Sequence, residues 1–398
     1  MTASHNSNKP QIDAPLPLSP IILGGATFQS HIYNSDEELK RNTPESTLLF
    51  ALRNGINAID TSPYYGNSES VIGKILSKPD FRAEFPRRSV VFPLERPFLD
   101  FNLSSYCILT KCGRYGPKTK DFDYSPDRII RSVKESCRLM GTDYLDVVYL
   151  HDVEFVAEDH GEFRKGGHCI VSLDHPKPQL DPAPQTETYA QSYGPGDDTI
   201  VSAAKALFQL KQEGVIRRVG ISGKLQFFHF FGYPLGTLLR MSHLIAAKLG
   251  SPLDVVMSYS CLTLQNNALE HYLGYFNATG VGQIISASPL GNGLLTTRGP
   301  HDWHPAPEAL RQNIKELATT VQASYHLPLE RLALHHSLYF PHTVIGFSSI
   351  EEVKTALDVL EQVRNPQDDV SLGVAKAAIK DALKTSGFLD WSWPMICD

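Results

Sequence analysis

The sequence predicts an α/β protein: a (β/α)8 barrel of the TIM type with a long insertion after its fourth strand. Three observations predict it. Eight short apolar runs rich in β-branched residues recur along the 398 residues, and an amphipathic stretch follows nearly every one. Ionisable residues stand at the ends of the second, third and fourth runs. Runs apolar on both faces suit parallel strands buried from both sides. Parallel strands need crossovers, which helices supply. Eight such units take roughly 250 residues as a barrel, with a doubly wound open sheet as the competing arrangement.

Taken in order, residues 1–18 are polar and Pro-containing and read as a flexible tail, and residues 19–398 read as one barrel domain. The runs fall at 21–27, 58–61, 107–111, 146–151, 219–222, 254–259, 284–288 and 343–346. Pro44 and Glu45 open a helix with Leu48, Leu49 and Leu52 inward and Gly55 at its stop. Ser125 and Pro126 start another, with Ile129, Ile130, Val133, Cys137 and Met140 on one face. Ile200, Ala203, Ala204 and Leu207 form a third face, closed by Gly214. Leu310, Ile314, Leu317, Val321 and Tyr325 give a fourth, and Ile350, Val353, Leu357 and Leu360 a fifth. The surplus lies at about 80–105, with Pro86, Pro93 and Pro97, and at 154–197, which is far longer than an ordinary βα connection. On a barrel the second insertion overhangs the C-terminal face, as a lid or as a floppy excursion.

Composition narrows the partners. Lys and Arg number 37 against 43 Asp and Glu, a net charge of −6, which speaks against a chain built around nucleic acid or an anionic membrane. No apolar run approaches membrane-spanning length. The cysteines (Cys107, Cys112, Cys137, Cys169, Cys261 and Cys397) are dispersed without paired spacing, so a reducing, cytoplasmic setting is expected. His160, His168, Cys169 and His175 match no regular metal spacing, and no metal is expected. Trp391 and Trp393 either anchor the C-terminal tail or cover the substrate mouth.

The chemistry sits at strand ends. Asp60 and Tyr65 stand in AIDTSPYYG, Lys111 in ILTKCG, and His151 in VVYLHD. Each alone reads equally well as a surface group. Together they form an acid/base unit. A free tyrosine ionises near ~10 and must fall by about 2–3 units to exchange protons near neutrality. An ammonium ~4 Å away at an effective dielectric of ~20 supplies about 4 kcal/mol, enough in sign and size. Asp60 would hold Lys111 charged, and His151 would orient the reacting oxygen. That unit suits hydride transfer at a carbonyl or alcohol. Near the end of the chain, VIGFSSIEEV places Ser348 and Ser349 at a helix start with Glu351 and Glu352 in capping spacing, a terminus that also favours anions.

The stretches DTSPYYG, TKCG, GTDYLDVVYLHD, GVIRRVGISG, SPLGNGLLT and VIGFSSIEEV, in this order, resemble the aldo-keto reductase family over about residues 21–360. The resemblance implies a barrel, a nicotinamide dinucleotide and a tetrad of Asp60, Tyr65, Lys111 and His151, with Tyr64 as packing. It implies cofactor contacts from Ala26, Thr27, Phe28, Ser222, Ser288, Pro289, Leu290 and Gly293, and from Gly346, Phe347, Ser348, Ser349 and Glu352. Gly223, Val256 and Ala287 depart from residues that many members use around the nicotinamide. Phe347 and Val353 stand where NADP-binding members carry basic residues, so NAD is expected and NADP is less favoured. LHDVEF and SASPLGNGLLT most resemble the fungal D-arabinose and plant L-galactose dehydrogenases. This implies a small-molecule sugar substrate, oxidised at C1 to a lactone and touched by Asp152 and Glu154. An NADPH-dependent aldehyde or pyridoxal reductase and a regulatory nucleotide-binding subunit with little turnover are the alternatives.

Overall fold

The computed structural model describes residues 14–30, 32–87, 106–158, 167–168, 190–223, 234–366 and 370–392. Its strands are β1 (Ile21–Gly24), β2 (Ala58–Asp60), β3 (Cys107–Cys112), β4 (Leu145–His151), β5 (Gly167–His168), β6 (Ile216–Gly223), β7 (Val255–Tyr259), β8 (Gln283–Ala287), β9 (Thr343–Gly346) and β10 (Trp391–Ser392). Eight of them close a barrel in the order β1-β2-β3-β4-β6-β7-β8-β9. Every neighbouring pair is parallel, and β1 seals against β9 through Ile21↔Thr343 to Gly24↔Gly346. The remaining pair, β5 and β10, lies antiparallel outside the barrel.

Period-two alternation divides each strand between two cores. Ile22, Ala58, Cys107, Leu109, Val147, Tyr149, Val255, Met257, Ile285, Ala287 and Val344 fill the interior. Ile21, Leu23, Ile59, Ile108, Val148, Leu150, Val219, Ile221 and Val256 face out, onto Leu48, Ile72, Ile129, Ile200 and Val353 of the surrounding helices. Those helices obey their predicted signals. Pro44–Arg53 starts on the Thr43 cap and Pro126–Met140 ends on left-handed Gly141. Ile350–Arg364 is capped by the Ser349 side chain on the Glu352 N–H.

Several expectations need correction. The first run extends as a strand only to Gly24, because residues Gly25–Phe28 coil into a 3-10 turn. A Cβ on Gly25 would stand 2.9 Å from Ser68 Oγ and 3.2 Å from Asp60 O, so the chain turns where only glycine fits. The tail is not loose to residue 18: Leu16 and Leu18 pack with Ile22 in the interior core. The insertion at 80–105 begins as a helix, Pro79–Glu84, with Phe81 buried against Phe85 and Tyr106. Its remainder from 88 onward lies outside the described residues, as do His160, Cys169, His175 and Trp393. Among the described residues no helix is long and apolar enough to cross a membrane, and no cluster of three metal-ligating side chains occurs.

Candidate active site

The last inward position of each barrel strand builds a ring at the C-terminal end of the barrel. Gly24, Asp60, Lys111, His151, Ser222, Tyr259, Ala287 and Gly346 all line a single cavity of about 540 Å³. That size suits a small-molecule site, and its place is where barrels build theirs.

Within it Lys111 Nζ donates to Asp60 Oδ1 at 2.5 Å and to Thr61 O at 3.0 Å. Both side chains are about 3% exposed, so each charge is met by the other in a dry setting. The second Asp60 oxygen is buried without a hydrogen-bond partner among the described residues, and burial pushes the Asp60 carboxyl up against the opposing pull of Lys111. Tyr65 is delivered by the turn after β2, its N–H on Ser62 O at 2.9 Å. Gly66 follows in the left-handed region at φ 56°, where a Cβ would fall 2.1 Å from Gln29 Oε1. Lys111 Nζ lies 4.9 Å from the Tyr65 ring centre, and the His151 ring meets it edge-on at 5.9 Å. His151 Nδ1 pairs with Ser62 Oγ at 3.1 Å, while Nε2 lies 3.6 Å from Asp152 Oδ2.

The electrostatics differ from the simple sequence argument. Tyr65 keeps some exposure to the cavity, yet desolvation, then the negative charge of Asp60, then Tyr259, Asp152 and Tyr33 all raise its phenol well above the ordinary value. These influences favour the neutral phenol.

The cavity also gathers Ala26, Thr27, Asp152, Ser288, Pro289, Leu290, Gly293, Ser348 and Glu352. Phe28 and Phe347 do not line it but are buried behind it in the outer core. Ser349 is spent on capping its helix, and Glu154 is buried beneath the wall beside Gly223. Met257, rather than Val256, is the inward residue of β7. Tyr64, expected only to pack, lines the cavity.

Sequence reasoning missed Tyr33, Arg114, Tyr259 and Asn292. Tyr33, from the segment after β1, and Tyr259, at the end of β7, both donate to Asn292 Oδ1, the first at 3.2 Å. Asn292 is 7% exposed and its Nδ2 has no acceptor among the described residues. Asn292 lay in plain view inside SPLGNGLLT, whereas nothing in HIYNS marks Tyr33. A buried donor without an acceptor costs about 1–3 kcal/mol unless a ligand oxygen completes it. This donor sits beside Ser288 and Gly293, in a loop wound through left-handed Ser288, Gly291, Asn292 and Gly293 whose own amides are spent within the fold. The wall therefore fits an oxygen-rich dinucleotide.

Comparison with known proteins gives the same picture. The sequence profile described as the aldo/keto reductase family matches residues 20–375. The D-arabinose 1-dehydrogenase of Saccharomyces cerevisiae is 32% identical over 356 residues, covering 87% of this chain and 84% of that one. The L-galactose dehydrogenase of Arabidopsis thaliana is 32% identical over 337 residues, covering 82% and 81%. Among solved structures, an aldo-keto reductase of Bacillus halodurans superposes with a TM-score of 0.56 at 20% identity, covering 93% of this chain and 94% of that one. A glycerol dehydrogenase of Gluconobacter oxydans gives 0.56 at 19%, covering 94% and 95%. Both share the barrel.

Proposed function

The chain belongs to the aldo/keto reductase family, and from that premise we propose that this oxidoreductase is an NAD-dependent sugar 1-dehydrogenase oxidising an aldose at C1 to its lactone. The observation that carries the reading is the convergence of Asp60, Tyr65, Lys111 and His151 in one cavity, with Asp152 beside His151. The names of the two relatives that are 32% identical over more than four fifths of this chain support the substrate class. The nicotinamide dinucleotide that aldo/keto reductases use would be held by Thr27, Ser222, Asn292 and the 288–293 loop, and when bound it would supply the hydride acceptor.

The rest falls to the chain's own residues. His151 orients the anomeric hydroxyl, and Tyr65 takes its proton as the C1–O bond becomes the lactone carbonyl. Lys111, fixed by Asp60, stabilises the phenolate that this requires. Asp152 accepts sugar hydroxyls. Preference for NAD follows from the last barrel turn. Phe347 and Val353 are buried in the core, and the charged side chain of that turn that faces the cavity is Glu352, its carboxylate on the Ser348 N–H at 2.7 Å. A 2′-phosphate brought to this turn meets the like charge of Glu352, which Arg298 on the same cavity wall offsets only in part.

Oxidation of D-arabinose and L-galactose with NAD and with NADP tests the proposal. NADH formation with at least one aldose is expected; none with any aldose sinks it. One observation favours a second reading. A Tyr65 held as a phenol is ready to give a proton, which suits an aldehyde reductase working with NADPH. Faster aldehyde reduction with NADPH than aldose oxidation with NAD would select it.

A further inference from the structure

Arg114, two residues past β3, is among the largest side chains the fold buries completely, and it nevertheless belongs to the cavity wall. A guanidinium removed from water needs its charge and its donors met. Here Tyr64, Phe122 and Phe155 close around it, their ring centres 4.0, 5.1 and 5.2 Å from Cζ. Its Nε donates to Gly116 O at 3.2 Å, and its Nη1 donates to Asp152 Oδ2. Asp152 occupies the left-handed region at φ 59° and ψ 58°, which a residue with a Cβ enters at a cost on the order of 1 kcal/mol. That backbone aims its carboxylate both at Arg114 and, across 3.6 Å, at His151 Nε2.

This arrangement restricts what the wall can recognise. Arg114 is neutralised and sheathed by rings, so its cation does not serve a substrate anion. Asp152 lines the cavity as the acceptor half of that ion pair, so this wall offers an anion no spare cation and offers hydrogen-bond donors a carboxylate that accepts from several at once. Hydroxyl groups are such donors. We propose that Arg114 is a positioning residue that sets Asp152 to select uncharged, polyhydroxylated substrates over hydroxyl-free and anionic ones. The proposal rests on the reading of this cavity as a site for hydride transfer at carbonyl or hydroxyl groups, and it names what selects the substrate.

The experiment compares kcat/KM for reduction of glyceraldehyde, propanal and glyceraldehyde 3-phosphate, with NADH and with NADPH. Glyceraldehyde and propanal differ only in hydroxyls. The wild type should prefer glyceraldehyde to both others. In Asp152→Asn and Arg114→Met the glyceraldehyde-to-propanal ratio should fall about tenfold or more, as expected for losing a charged hydrogen-bond partner. Arg114→Lys should recover part of it, since the charge returns without the planar fork. Asp152→Asn should also relax discrimination against the phosphate. An unchanged ratio in Asp152→Asn with a native far-UV spectrum overturns the proposal, even if Arg114→Met fails to fold. So does a wild type that uses the phosphate as well as glyceraldehyde. Absence of aldose oxidation with the ratio effects intact removes only the sugar dehydrogenase reading; a wild type that reduces no aldehyde removes the selection as well.

Discussion

At the scale of single residues, the decisive contest is over the Tyr65 proton. Desolvation and then Asp60 lead the influences that raise it, so the phenolate appears only as pH climbs above neutrality. Oxidation should therefore accelerate with rising pH, while reduction fades over the same range. Asp60→Asn deletes a negative neighbour and frees Lys111 to act on the phenol, so its oxidation profile should move to lower pH. Lys111→Met leaves Asp60 uncompensated and should move the profile higher. Tyr65→Phe should cut turnover by at least ~100-fold, yet alter nucleotide affinity by less than about tenfold, ~1.4 kcal/mol. Retention of more than about a tenth of turnover would make the ring of strand-end residues structural. The positions of Asp60, Tyr65, Lys111 and His151 around one cavity were legible because strand ends on a barrel share one mouth. The direction of the Tyr65 shift was not, because it rests first on burial and then on the nearness of Asp60, neither of which spacing along the chain encodes.

Elements were legible where they carry punctuation. Pro at a helix start, Gly at its end and one apolar face located the helices Pro44–Arg53 and Pro126–Met140. The helix Pro234–Leu249 lacked that contrast, since Leu235, Leu238, Leu239, Met241, Leu244 and Ile245 are all buried and leave little polar face to set the period. The excursion after β4 was read as 154–197, but the barrel closes it more tightly. Asp197, in the first turn of Pro195–Gln212, accepts the N–H of Glu158 at 2.9 Å and of Tyr193 at 3.0 Å. Arg240 from the helix Pro234–Leu249 binds both Asp197 oxygens, at 2.5 and 2.9 Å, and Glu158 O at 2.6 Å. The two ends of the excursion are thereby stapled to the scaffold. Burial opposes ionisation of Asp197, and the bonds from Arg240, Tyr193 and Glu158 outweigh it, holding the carboxyl below its usual range. A depressed carboxyl stabilises the fold above its unfolded value and loses that contribution as pH falls through the folded one. Asp197→Ala should cost about 3–5 kcal/mol, the penalty for stranding one member of a buried pair. It should also flatten the acid limb of stability in denaturant titrations from pH 7 to 3. An unchanged midpoint at pH 7 would show that the neck is held elsewhere.

Across the whole molecule, every barrel strand contributes to the cavity wall, so a ligand there is bound by the closed barrel and by nothing the unfolded chain retains. Binding must then raise the temperature at which the barrel opens. At a concentration of about 100 times its Kd a nucleotide adds about 2.7 kcal/mol. For a barrel this large that corresponds to a rise of roughly 3–5 °C. NAD should produce this rise, and NADP at equal concentration a smaller one, because its additional phosphate meets the Glu352 carboxylate, which Arg298 across the same cavity offsets only in part. Glu352→Gln should narrow the gap by removing the like charge. Tyr65→Phe should keep the full NAD shift, since it alters the proton carrier alone, whereas Asn292→Leu should lose much of it by removing the buried donor that waits for an oxygen. Scanning calorimetry on the full chain reads all four. Equal shifts with both nucleotides would refute the charge argument at Glu352, and no shift with either would refute the dinucleotide wall itself.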